Sequence, residues 1–235
     1  MAAAETLGKA FLSAFETLGD DPEAVGLSAA GYSSVRSWIN WQTAQAALVG
    51  GGLSAVPGVH HAGVFVDIGV LIRKMAIMTW GIGYKLGADV DGRLDLANTL
   101  ALWAGAVGRD VLELIVVPLT GTDAGDDGAG SAFAVAVAVA VAGKVAGVGA
   151  TTAVAALGAK AAAKGAGLIT GELAGAIMSH VAPYLGTKVA ATFAAKQATG
   201  LAPVIGAGAA AGLNVWIMKR LAGSATTYYS AKAKA

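Results

Sequence analysis

Apolar positions recur at helical spacing along most of the chain. Between residues 3 and 18, Leu7, Ala10, Phe11, Ala14, Phe15 and Leu18 stand at offsets 0, 3, 4, 7, 8 and 11, while Glu5, Lys9 and Glu16 lie off that face. This pattern predicts an amphipathic helix that docks either on the protein's own core or on a bilayer interface, and the scarcity of basic residues favours the core. Asp20-Asp21-Pro22-Glu23 reads as a stop followed by a start: Asp caps, Pro suits the first helical position and Glu favours a helix N-terminus. A second helix is predicted over about 28–49, with Trp38 and Trp41 on one face as packed core or as an interfacial aromatic anchor.

A stretch of about twenty mostly apolar residues follows a Gly50-Gly51-Gly52 and Pro57-Gly58 break. It runs from His61 to Trp80, interrupted by Asp67 and by Arg73-Lys74, and predicts a helix that is buried or faces a membrane and ends near Gly87. Asp67 has apolar Val70 and Leu71 at i+3 and i+4, so its expected partner is a lysine or Asn214 on another helix. Asp91 is expected to cap a further helix over about 92–107, with Leu94, Leu96, Ala97, Leu100 and Ala101 mostly on its buried side. Residues 120–130, TGTDAGDDGAG, predict an exposed acidic loop.

Beyond that loop the chain becomes rich in Ala, Gly and Val. Residues 132–142 alternate with period two, but Ala and Val leave neither face polar, so a helix is the better assignment than a strand. Gly143 and Gly147 give a small-xxx-small spacing for close helix contact, and Gly208 and Gly212 repeat it. A helix is expected from about Thr170 toward Pro183, and Asn214 lies in an apolar setting where it needs hydrogen-bond partners. A bilayer span is disfavoured, because Lys144 sits inside the most apolar segment and a central lysine costs about 2.5–3.5 kcal/mol on the insertion scale.

Composition changes the picture in one respect. Only 13% of residues are charged and 56% are hydrophobic, against about 25% charged in ordinary soluble domains, so a membrane, a lipid or a second chain is expected to cover part of the surface. The net charge of +1 points to no nucleic-acid partner. With no cysteine, a disulfide framework and thiol chemistry are excluded, and the N-terminus lacks the basic and apolar regions of a signal peptide.

Catalytic patterns are weak. His60 and Asp67 share a helical face but stand about 10 Å apart along the axis, too far for one metal ion, and His61 points elsewhere. No nucleophile elbow, dinucleotide fingerprint or phosphate loop is present. No cofactor or metal is expected.

The closing residues Pro203-Val204-Ile205-Gly206-Ala207, then Asn214, then Ala225 and Tyr228-Tyr229, resemble the closing motif of the EcsC family of bacterial proteins. Pro57-Gly58, Asp67, Arg73 and Gly83-Tyr84 resemble the same family's central helix and its Gly/Pro-rich entry. The resemblance covers about residues 35–230; the Ala/Gly-rich middle and the acidic loop depart from the pattern. It implies a mostly helical, membrane-associated protein linked to transporter genes, without an assigned catalytic residue.

The sequence therefore predicts an all-α, single-domain multi-helix bundle of closely packed Gly/Ala-rich helices. Its expected function is that of a non-catalytic, lipid-interacting accessory protein, peripheral to the cytoplasmic face of the inner membrane. Asp67, Arg73 and Asn214 are its expected polar anchors. Lipid, a membrane protein such as a transporter, or another copy of the chain are the expected partners. The alternatives are a self-assembling shell or pore subunit, an integrally inserted protein, and a hydrolase using Asp67 with His60 or His61.

Overall fold

The computed structural model describes residues 2–19, 21–53, 60–105, 166–198 and 206–233. Among these residues all regular structure is helical: α1 (Ala2–Glu16), α2 (Pro22–Ala30), α3 (Val35–Leu53), α4 (His60–Lys85), α5 (Arg93–Ala104), α6 (Ala166–Ala198) and α7 (Gly206–Lys232). The acidic loop, the alternating segment and the Gly143/Gly147 pair lie outside the described residues.

α4 occupies the centre because most of its second half is apolar. Ile72, Met75, Ala76, Met78, Trp80 and Ile82 are all buried and span more than half of the helix circumference, while Arg73 on the remaining side is exposed. So wide an apolar face must be covered by several neighbours. α1, α2, α3, α5 and α7 each pack against it. α6 completes the bundle by lying against α1 and α5.

The apolar face of α1 is used internally. Phe11, Phe15 and Leu18 are buried in the core, and α1 packs chiefly on α6. Gly8 and Gly186 make that crossing close: a Cβ on Gly8 would stand 2.9 Å from the Ala182 carbonyl oxygen, and one on Gly186 would collide with the Ala4 carbonyl oxygen. A similar fit joins α3 to α4, where the Trp38 indole lies over Gly81 and its Nε1 donates to the Met78 carbonyl at 3.1 Å.

Three boundaries differ from expectation. The predicted helix over 28–49 is two helices, broken at 31–34, because Ser34 and Ser37 cap the start of α3 reciprocally: each side-chain oxygen accepts from the other residue's N–H at 3.1 Å. Gly50-Gly51-Gly52 does not end α3, which continues to Leu53. Pro183 does not end a helix either; α6 runs through it, although an internal proline removes a donor and costs about 3 kcal/mol. Ser179 and Pro183 are both exposed on α6, and Thr187 Oγ1 donates to the Pro183 carbonyl at 2.9 Å.

Cations close two helix ends. Lys85 Nζ donates to the carbonyls of Ala29 and Tyr32 where α2 ends, at 3.1 and 2.6 Å. Lys188 on α6 donates to the Trp103 carbonyl in the last turn of α5 and stands 5.5 Å from the Trp103 ring centroid. Both placements put positive charge where helix carbonyls lack partners. Burial lowers the pKa of Lys188, and nearby Arg220 lowers it further.

The two glycine environments make opposite predictions. Gly186→Ala is expected to lower unfolding free energy by about 1–3 kcal/mol, because the neighbouring backbone of α1 has to shift. Gly223→Ala, exposed on α7 with nothing within 4 Å, is expected to raise it by about 0.5–1 kcal/mol. Urea unfolding of both variants checks this, and a destabilised Gly223→Ala beside an unchanged Gly186→Ala would refute the packing assigned to α1 and α6.

Candidate functional site

Among the described residues, the densest polar grouping lies between the start of α5 and the end of α7. Asp91 and Asp95 are four residues apart, as are Tyr228 and Lys232, so each pair shares one side of its chain segment. Lys232 Nζ lies 2.8 Å from Asp91 Oδ2 and 3.0 and 3.1 Å from the two Asp95 oxygens. The Tyr228 hydroxyl donates to Asp95 Oδ1 at 2.6 Å, and Asn98 Nδ2 donates to the Tyr228 oxygen at 3.3 Å. The Asp91 backbone N–H donates to Asp95 Oδ2 at 2.8 Å. Tyr229 stacks edge-on against Tyr228, with ring centroids 5.1 Å apart.

The side chains of Asp95 and Lys232 are both 0% exposed, whereas Asp91 is 19% exposed. Burial raises the Asp95 pKa; Lys232, the Tyr228 hydroxyl and the Asp91 N–H pull it back in part. The two tyrosines are pushed well above their ordinary range, first by burial and then by the Asp95 charge. A carboxylate, an ammonium and a phenol in this arrangement resemble acid-base machinery in composition. They present no open side to a substrate, so the geometry is that of an internal clamp joining α5 to α7.

This cluster corrects one expectation. Asp91 does not cap the following helix: the N-cap position belongs to Gly92, which makes no side-chain cap bond, and the Asp91 carboxylate is directed to Lys232. The i,i+4 spacing within each pair was visible in the sequence. The pairing of segments 137 residues apart was not.

The residues singled out from sequence do not assemble into one site. Asn214 is buried on α7 and its Nδ2 donates to the Ala46 carbonyl on α3 at 3.0 Å. Arg73 is exposed on α4. Asp67, His60 and His61 fall within α4, and their side chains lie outside the described residues, as does the surrounding of Gly208; Gly212 is exposed on α7. Among the described residues, no three His, Asp or Glu side chains converge as metal ligands.

A half-open groove of about 460 Å³ lies along the α1–α6 crossing. Ala4, Gly8, Leu12, Ala182 and Pro183 give it an apolar lining. Glu5 and Lys9, paired at 2.7 Å and both exposed, stand at its edge. The hydrogen bond from Lys9 lowers the Glu5 pKa. The groove follows from two glycines bringing the helices together.

Elsewhere on the surface, large apolar side chains stand in solvent: Leu27 is 81% exposed, Leu48 77%, Tyr184 50% and Trp41 48%. Among the described residues, no helix is long and apolar enough to cross a membrane. Comparison with family models, with curated proteins and with solved structures returned no match.

The clamp makes a pH-dependent prediction. Lys232→Met leaves Asp95 buried without its closest cation and is expected to cost about 3 kcal/mol or more at pH 8. The folded-state pKa of Asp95, already raised, rises further in this variant, so its contribution to stability falls as pH climbs from the unfolded carboxylate range through the folded value. The loss relative to wild type is therefore smaller at pH 5 than at pH 8, and adding Asp95→Asn recovers much of it. Denaturant melts at both pH values check this; a loss independent of pH and of Asp95 would refute the clamp.

Proposed function

We propose that the protein is a non-catalytic, peripheral membrane accessory protein that engages lipid at the cytoplasmic face of the inner membrane. The observation that carries this reading is the exposure of Leu27, Trp41, Leu48 and Tyr184 on a chain with only 13% charged residues. Exposed Leu and Trp side chains on a charge-poor surface gain from insertion at the headgroup level, where apolar area leaves water and the indole keeps a polar neighbour. The closed geometry of the Asp95–Lys232 cluster favours a binding role over a catalytic one. The resemblance to the EcsC family points the same way.

Attachment of this kind is reversible. After cell fractionation, the protein is expected in the membrane pellet and is expected to leave it in high salt or alkaline carbonate, without detergent. Quantitative recovery in the supernatant at low salt would sink the reading; retention until detergent is added would replace it with integral insertion.

A further inference from the structure

The charged residues of the first 85 positions are unevenly divided. Residues 1–34 hold five acids, Glu5, Glu16, Asp20, Asp21 and Glu23, against Lys9, whereas residues 35–85 hold Arg36, Arg73, Lys74 and Lys85 against Asp67 alone. The second group makes up α3 and α4. α3 contains no acid, and its outward side carries the apolar pair Trp41 and Leu48, seven residues and about two turns apart.

Lys74 lies beside that pair, and Lys85 reaches it by way of Tyr32. Lys74 Nζ reaches from α4 to Gln45 Oε1 at 2.5 Å, and Gln45 lies on α3 between Trp41 and Leu48. Lys85 Nζ binds the Tyr32 carbonyl, and the Tyr32 ring lies 6.4 Å from the Trp41 ring, centroid to centroid. Arg36 and Arg73 are exposed on the same two helices. The inner side of α3 is fully occupied: Trp38 is held on α4, and Ala46 is held by Asn214 of α7. Trp41 and Leu48 are thus fixed outward by the packing behind them.

We infer that the outward side of α3, where Trp41 and Leu48 stand exposed beside Lys74 with Arg36 and Arg73 exposed on the same two helices, is a docking surface for an anionic lipid bilayer. This rests on the peripheral membrane reading and specifies its orientation and lipid class. The charge pattern selects the occupant. Apolar side chains alone would suit any apolar partner, but four basic residues on the same two helices, against one acid, match a negatively charged headgroup layer, where each basic residue near the surface contributes about 1 kcal/mol. The acids of the first 34 residues would be repelled by the same layer; Asp21 and Glu23 stand at the start of α2, the end away from Tyr32. α1, which carries two of those acids, packs on α6 and α4, whereas α3 packs on α4 and α7.

Because the chain has no cysteine, Leu48→Cys provides a single attachment point for an environment-sensitive fluorophore, and exposed Ser179→Cys on α6 provides a control. With phosphatidylglycerol vesicles, the probe at position 48 is expected to shift to the blue and the probe at 179 to stay unchanged. Phosphatidylcholine vesicles are expected to bind at least about tenfold more weakly, as is the variant Arg36→Glu/Arg73→Glu on phosphatidylglycerol. Trp41→Ser/Leu48→Ser is expected to weaken binding by about tenfold or more with unchanged helicity.

Vesicle binding with the position 48 probe still in water would overturn the docking surface and leave the membrane reading standing. Equal affinity for both lipids would overturn the anionic preference. A blue shift at position 48 that grows with protein concentration, without vesicles, would assign the surface to a second copy of the chain. Failure of the unlabelled protein to sediment with either vesicle would overturn both this surface and the peripheral membrane reading.

Discussion

The wide apolar face of α4 is the constraint from which the other helices take their places. From Ile68 to Ile82 buried side chains cover more than half of the helix circumference, so several neighbours are needed to cover it. Small residues set how closely they come. Gly81 admits the Trp38 indole, and Gly83 admits the Tyr229 ring, whose atoms would lie 2.7 Å from any added Cβ. Glycine in a helix interior is unfavourable by about 0.5–1 kcal/mol relative to alanine, and the aromatic contacts it permits offset that cost.

A core of this kind is non-directional, and apolar contact alone would leave the helices free to slide. The Asp91, Asp95, Tyr228 and Lys232 cluster supplies direction at one end of the bundle. A lysine accepted by two carboxylates, one of which also receives a phenol and a backbone N–H, has few alternative registers. Buried ion pairs add little net stability, but breaking one is costly, which penalises misaligned packings more than it rewards the native one. Asn214 and its bond to Ala46 do the same for α7 against α3.

The elements with a strong local signal were legible in the sequence. The offsets of Phe11, Phe15 and Leu18 locate α1 to within a residue or two, and the helix after Gly92 was visible from its leucines. The break at 31–34 was less so, because Ser34 and Ser37 cap without the acidic residue that usually marks such a start. Pro183 misled for a different reason: solvent exposure lets a helix tolerate a lost bond that the sequence cannot locate as exposed. Of the candidate polar residues, Asn214 could be recognised as a buried amide, since an asparagine among apolar neighbours has to bond something. The Lys232 clamp could not, because its halves are innocuous separately: a turn aspartate with a helical one, and a lysine in a short polar tail. The outward setting of Trp41 beside the inward setting of Trp38 depends on which side of α3 meets α4, and three-residue spacing alone assigns neither.

The order in which these contacts join has a consequence for how the chain is made. Asn214 meets Ala46 across 168 residues, and Lys232 meets Asp95 across 137. During synthesis the apolar face of α4 is therefore available long before α7, one of its covers, has been translated. Long-range closure of this sort slows folding and leaves sticky surface exposed in the interval. A ribosome-bound chain ending before Gly206 would display α4 without the Tyr229 ring that packs over Gly83.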